Sequence, residues 1–261
     1  MKRIKFFSFK TLFFLGLVAF MFASCVPQKK MLYMQVKNEA DTLSSFFNKK
    51  DIEYRMQPGD NLYIKVVSLD EQTTILLNPS GTGGYYMNSD PAIYLNSYTV
   101  DDKGYLDFPL TGRILVKNLT VAEIKEKIQE ELQEYLKEFV VIVKMVNFNL
   151  TILGEVNRSG QYKVYQNSIN LFEAVSMAGD LTDFANREKI AIIRQTKNGS
   201  KVVYVDMTKR DILESDYFYL KPNDIIYAAP VKGKQFSFSN FPYAVVFSAI
   251  STAFLVVNYF Q

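Results

Sequence analysis

Apolar and polar residues alternate along Leu62-Tyr63-Ile64-Lys65-Val66, directly after the turn sequence Pro58-Gly59-Asp60. Proline presets φ, glycine tolerates positive φ and the aspartate can bond back to the backbone, so a turn followed by a half-buried strand is predicted. Val121, Ile124, Ile128, Leu132 and Tyr135 recur at helical spacing behind Thr120-Val121-Ala122-Glu123, which has the form of a capping box. The pattern predicts a helix from about 121 to 137, with Lys125, Glu126, Lys127, Glu130, Glu131, Glu134 and Lys137 on its solvated face. Phe139 to Val146, apolar apart from Lys144, reads as a mostly buried strand.

The organisation then repeats in a second segment. Asn149 to Val156 is strand-like, Asn157-Arg158-Ser159-Gly160 is a turn, and Tyr162 to Tyr165 follows as a short strand. A helix from Leu171 to Ala178 is bracketed by Asn170 and Glu173 at capping spacing and by Gly179 at its end. Ile190 to Arg194 and Val202 to Asp206 flank the turn Lys197-Asn198-Gly199-Ser200, a hairpin signature. Strand, strand, helix, strand, strand in that order predicts a compact α+β unit. Leu220-Lys221-Pro222-Asn223-Asp224-Ile225-Ile226-Tyr227 echoes Met56-Gln57-Pro58-Gly59-Asp60-Asn61-Leu62-Tyr63, with Asn223 in the place of Gly59. Asparagine also tolerates the left-handed conformation, so both copies can make one turn.

Elsewhere the pattern marks loops. Asn78 to Ser97 carries Gly81, Gly83, Gly84, Pro79 and Pro91 and reads as a long exposed loop; its glycines lack the spacing of a phosphate-binding loop. Asp101-Asp102-Lys103-Gly104-Tyr105 is a turn leading into a strand from Leu106 to Leu110, and two adjacent acids before a glycine serve turn geometry more readily than catalysis.

The two ends differ from the middle. Lys2, Arg3, Lys5 and Lys10 precede an apolar run from Thr11 to Phe22, then Ala23-Ser24 and the single cysteine of the chain, Cys25. That is the order of a secretory signal, and the run, about 18 Å as a helix, is too short to span a bilayer. Phe22-Ala23-Ser24-Cys25 resembles the bacterial lipobox, with Phe22 in place of the usual Leu; the resemblance implies cleavage before Cys25 and acylation of its sulfur. Taking 24 residues from 261 leaves 237, and taking four bases from 30 leaves 26 against 27 acids. The basic balance thus belongs to the signal, and no nucleic-acid partner is expected. Residues 25–50 are mixed and polar and read as a tether.

At the other end, Gln235 to Gln261 holds no charge. Pro242 to Phe260 supplies nineteen residues, about 28 Å of helix, with Phe236, Phe238, Phe241, Tyr243 and Tyr259 as interfacial aromatics, and predicts a C-terminal membrane helix over 231–261. At ~100° per residue, Ala244, Ser248, Ser251, Thr252, Leu255 and Asn258 fall within an arc of about 120°. In a ring of such helices this face is a candidate pore lining; small and hydroxylated residues also suit close helix packing in lipid.

Tyr54 to Val66, Val100 to Gly112 and Leu119 to Val143 resemble the export-sheath domain of the Wza-type polysaccharide export family. Gly154-Glu155-Val156, Gly160-x-Tyr162, Ala178-Gly179 and Ile193-Arg194 resemble its soluble-ligand-binding β-grasp (SLBB) domain. Ser159 stands where that family usually has Pro, Asp180 replaces the second Gly of Ala-Gly-Gly, and one β-grasp unit is present where the best-known members carry two. The resemblance implies an α+β chain: signal 1–24, tether 25–50, export sheath 51–146, β-grasp 147–230 and the final helix. It also implies a homo-oligomeric ring in the outer membrane, lipid-anchored through Cys25 with its body in the periplasm. Such a ring passes a capsule polysaccharide or exopolysaccharide and works with an inner-membrane chain-length regulator, a polysaccharide co-polymerase. The alternative is a lipid-anchored scaffold that binds glycan or a partner without a pore. Zero histidines, no metal-ligand cluster and no evident opposed carboxylates argue against an enzyme, a metal or any cofactor.

Overall fold

The computed structural model describes residues 30–35, 54–70, 74–75, 77–78, 90–196, 199–232, 234 and 241–259. Cys25 lies outside the described residues, as do the signal and most of the 78–97 loop.

In the first domain β1 (Asn61–Ser68) is the middle strand of a three-stranded antiparallel sheet, between β2 (Tyr98–Thr99) and β5 (Phe139–Met145). Its alternation is used as expected: Leu62, Ile64 and Val66 are buried, while Lys65 and Val67 face outward. A hairpin of β3 (Tyr105–Phe108) and β4 (Gly112–Leu115) and two helices complete the unit, α1 (Asp90–Leu95) and α2 (Val121–Leu132). The capping box is formed in full, Thr120 accepting from the Glu123 amide and Glu123 from the Thr120 amide. Ile124, Ile128 and Leu132 have no exposed surface and fill the core under the sheet.

Two expectations need correction here. The helix predicted to 137 stops at Leu132. Tyr135, the last member of the stripe, is exposed, because the chain must turn back for Phe139 to pair with Ser68 at the end of β1. The 78–97 segment is not loop throughout, since its last part forms α1.

The second domain is a five-stranded mixed sheet ordered β7-β6-β10-β8-β9. Its strands are β6 (Asn149–Gly154), β7 (Gly160–Lys163), β8 (Ala185–Thr196), β9 (Gly199–Val205) and β10 (Ile225–Pro230). β6 and β10 run parallel and the other pairs antiparallel. The crossover that a parallel pair demands contains α3 (Leu171–Met177), which buries Leu171, Ala174 and Val175 in one core with Ile152, Ile190, Ile192 and Ile226. This is a β-grasp arrangement. β8 is twelve residues long, and so extends well beyond the expected Ile190 to Arg194.

The sequence echo is a structural repeat. In the first copy the Asp60 carboxylate accepts from the Gln57 amide at 2.7 Å; in the second Asp224 accepts from the Lys221 amide at 2.8 Å. Gly59 and Asn223 stand at φ of 90° and 64°, both left-handed. Each turn delivers the chain into the central strand of its domain.

Gly154 is required for a different reason. At φ 93° it lies so close to β10 that a Cβ there would sit 2.1 Å from the carbonyl oxygen of Ala228, whereas a Cβ on Gly59 would meet nothing within 4 Å. Gly59→Ala is therefore expected to cost about 1–2 kcal/mol, the conformational penalty alone. Gly154→Ala adds a backbone clash and is expected to cost roughly 3 kcal/mol or more, with Asn223→Gly nearly neutral. Denaturant midpoints of the three variants test this ranking; equal losses for the two alanine variants would contradict it.

Candidate functional site

Residues 30–35 belong to the expected tether, yet they are docked on the β-grasp domain. Met34 and Gln35 donate backbone hydrogen bonds to the carbonyls of Met207 and Thr208, at 3.2 and 2.7 Å. The Tyr33 hydroxyl donates to Asp180 at 2.5 Å, its ring packs edge-on against Phe172, and the Arg187 guanidinium lies 5.2 Å from the ring centre. Burial, together with the hydrogen bond to Asp180, pushes the Tyr33 phenol up to about 12, so it remains a donor at any physiological pH. Asp180 holds φ 75°, a conformation that favours glycine. Its carboxylate also accepts from the Leu181 amide at 2.7 Å, and these bonds account for an acid where the resemblance led one to expect glycine.

The β-grasp motifs each do identifiable work. Gly154 permits the close approach to β10, and the next residue, Glu155, takes Lys234 as an ion pair and the Thr182 hydroxyl at 2.9 Å. Val156 bridges to Leu181. Arg194 binds Asp224 in a fork, Nε at 2.8 Å and Nη2 at 2.6 Å, and Asp224 has no exposed surface. Asp60 is likewise buried, and burial raises its carboxyl above the ordinary range against the opposing pull of the Gln57 amide, Tyr54 and Asn147. Asp101 is a turn residue, as its setting suggested: it accepts from the amides of Lys103 and Tyr105 and pairs with Arg113.

A cleft of about 910 Å³ opens where the domains meet. The connection is short and tied to both sides. Asn147 accepts from the Asn61 amide at 3.0 Å in the first domain, and the carbonyl of Asn149 accepts from the Asn223 amide at 2.8 Å in the second. Around this junction the cleft is walled by the segment from Tyr54 to Met56, the start of α2, the linker and the loop after β7. Neither this cleft nor the docked strap was anticipated, because their members lie far apart in the chain.

The C-terminal helix, α4, runs Tyr243–Tyr259, 17 residues. The expected membrane helix over 242–260 is corrected accordingly: among the described residues no helix is long and apolar enough to cross a membrane. Ala244, Ser248, Ser251, Thr252, Leu255 and Asn258 all lie on α4, and all are exposed. Ser248, Ser251 and Thr252 donate to the carbonyls of Val245, Phe247 and Ser248 on the same helix, each at 2.9 Å.

These features define a two-domain α+β protein with no catalytic constellation among its described residues. Residues 48–146 match the model of the polysaccharide biosynthesis/export protein family, and residues 149–228 match that of the SLBB domain. The chain belongs to the polysaccharide biosynthesis/export proteins, of Wza type with one SLBB domain. Both are non-enzymatic transport and binding domains, and the role of the chain is in polysaccharide export.

Lys234 stands at the start of the segment that leads to α4, so its pair with Glu155 fastens that root to the β-grasp domain. Burial alone would raise the Glu155 carboxyl; Lys234 and Thr182 outweigh it and hold the group below its ordinary value of 4.5. A depressed acid stabilises the fold above its unfolded value and loses that contribution as pH falls through the folded one. Glu155→Gln is expected to lose about 1–2 kcal/mol at neutral pH, a modest figure because Lys234 is partly exposed. Thermal melts of both forms followed by circular dichroism should converge as the pH drops below 4.5. A stability gap of constant size down to about pH 3 would rule the ion pair out as its source.

Proposed function

We propose that this protein is a lipoprotein of the outer membrane, acylated at Cys25, whose copies form a ring that conducts capsule polysaccharide or exopolysaccharide from periplasm to surface. An inner-membrane polysaccharide co-polymerase is its partner on the periplasmic side. The observation that carries the reading is α4: every described side chain from Ala244 to Tyr259 is exposed in the single chain, and none is charged. A helix with that surface needs a cover, and lipid on one side with sister helices on the other provides it.

At ~1.5 Å per residue α4 rises about 25 Å, short of an average hydrocarbon core of ~30 Å. A short uncharged helix of this kind is accommodated at a membrane by oligomerising with its sister helices. The amino-terminal end supports the same orientation. Lys30 is five steps along the chain from Cys25, so at ~3.4 Å per step an acylated cysteine lies at most about 17 Å from the docked strap. The β-grasp domain would then sit directly under the membrane, with the export domain farther into the periplasm.

In a ring, Ala244, Ser248, Ser251, Thr252, Leu255 and Asn258 would face the lumen, where uncharged hydroxyls let a sugar chain slide without tight binding. One observation favours a second reading, a lipid-anchored glycan- or partner-binding scaffold without a pore. The three hydroxyls already donate to their own helix, so they do not require water beside them.

The two readings separate on full-length protein in outer-membrane vesicles, where acylated Cys25 offers no thiol. Cysteines placed at Ser248 and Ser251 should react with a membrane-impermeant thiol reagent, and one at Phe254 should not. Electron microscopy of the detergent-extracted protein should show a closed ring, and labelled palmitate should be incorporated by the parent but not by Cys25→Ser. Equal labelling at the three positions, or a monomer without fatty acid, would sink the conduit.

A further inference from the structure

The strand β5 carries apolar side chains on both of its faces. Val141 and Val143 are buried in the core, while Val140 and Ile142, which alternate with them, are 55% and 40% exposed. An antiparallel sheet with one wet face alternates apolar inside with polar outside, and a strand that is apolar on both sides is the mark of a sheet covered on both. α2 covers the inner face. The outer face is open in the single chain, since Val67, opposite Val140 on β1, is exposed as well.

The pairing of β1 with β5 sets three rows on that outer face: Val67 with Val140, Lys65 with Ile142, and Tyr63 with Lys144. No acid stands in these rows, and neither lysine has a side-chain partner among the described residues. On the other side of the same two-layer unit, α2 turns Glu126 and Glu130 away from the buried Ile124 and Ile128. Like charges four residues apart destabilise a helix, so this ridge calls for cations from outside. The nearby Lys127 is turned to the carbonyl of Leu115 at 3.1 Å. Tyr135, just beyond the helix, is exposed.

The spacing on the two sides agrees. The Leu136 amide still donates to the Leu132 carbonyl at 2.9 Å, so the helical path runs past Tyr135. Glu130 and Glu126 lie five and nine residues before Tyr135, about 7.5 and 13.5 Å at ~1.5 Å each. The rows of Lys65 and Lys144 lie two and four residues from that of Val67 and Val140, about 7 and 14 Å at ~3.4 Å each. The heights agree within one copy too. Thr120, Val121 and Ala122 at the start of α2 line the same cleft as Lys144, whereas Tyr135 comes just before Phe139 at the far end of the sheet.

We infer that the outer face of this sheet receives α2 of a neighbouring copy, with Tyr135 against Val67 and Val140, Glu130 against Lys65, and Glu126 against Lys144. The inference rests on the reading of the chain as a former of rings and adds which surfaces meet. The two patches differ and lie on opposite sides of the domain, so the contact is heterologous and passes from copy to copy. Because the matched groups stand at equal heights, it repeats without a rise and closes, where a filament would need a shift along the axis.

The experiment uses two differently tagged full-length copies, one with Gln133→Cys and one with Ile142→Cys, produced together, purified in detergent and treated with a short bis-maleimide. The parent protein sets the background. A dimer containing one copy of each kind is expected, and neither variant produced alone should cross-link. Lys65→Glu with Lys144→Glu in the second copy should cut the mixed dimer at least on the order of tenfold, and Glu126→Lys with Glu130→Lys in the first should restore it. That restoration separates a docking contact from a loss of folding, and a yield untouched by the reversal overturns the assignment. Dimers of Ile142→Cys alone would mean that the strip faces its like, which overturns the head-to-tail contact. A closed ring in the electron microscope without the mixed dimer sinks this inference and leaves the conduit standing; monomers by both methods sink the ring itself.

Discussion

A buried carboxylate cannot be left short of hydrogen bonds, and both domains are built around that constraint. Asp60 and Asp224 sit at the start of the central strand of each sheet, out of water, and each collects backbone and side-chain donors that no other conformation of the turn would supply. In the β-grasp domain the Arg194 fork completes the set, and removing one member of such a buried pair typically costs 3–5 kcal/mol. The export domain uses Tyr54 and Asn147 for the same purpose, without a cation. Two sheets of different size thus share one way of fixing where the central strand begins.

That shared turn also couples the domains. Asn147 donates to the carbonyl of Gly59, the left-handed residue of the first turn, at 3.3 Å, and Asn149 receives the amide of Asn223, the left-handed residue of the second. The linker is therefore anchored to both repeats of the motif within three residues. A junction held this closely gives the cleft beside it a defined shape, which a pair of domains on a flexible leash would not have.

Two described stretches outside the β-grasp fold, residues 30–35 and Lys234, attach to that same domain. The strap enters through Tyr33, Asp180 and Arg187, and the root of α4 is held by Lys234 on Glu155, whose position depends on the close passage of Gly154 beneath β10. The β-grasp unit is in this sense the mounting plate of the molecule.

What the amino-acid sequence determined by itself is whatever depends on neighbours in the chain. Both capping boxes, Thr120 with Glu123 and Asn170 with Glu173, involve partners three residues apart, and both form. The alternation of β1 and the repeated Pro-x-Asp turn are equally local, and so were readable before any fold was known. The end of α2 was not, because the register of β1 against β5, set by residues some seventy positions apart, decides where the helix must stop. The strap was missed for the same reason: Tyr33 finds Asp180 across 147 positions, and nothing in a polar leader marks one tyrosine as the one that docks. Only the tertiary structure could bring Lys65 and Lys144 to one sheet face, since a charge pattern along a chain carries no information about which faces will meet.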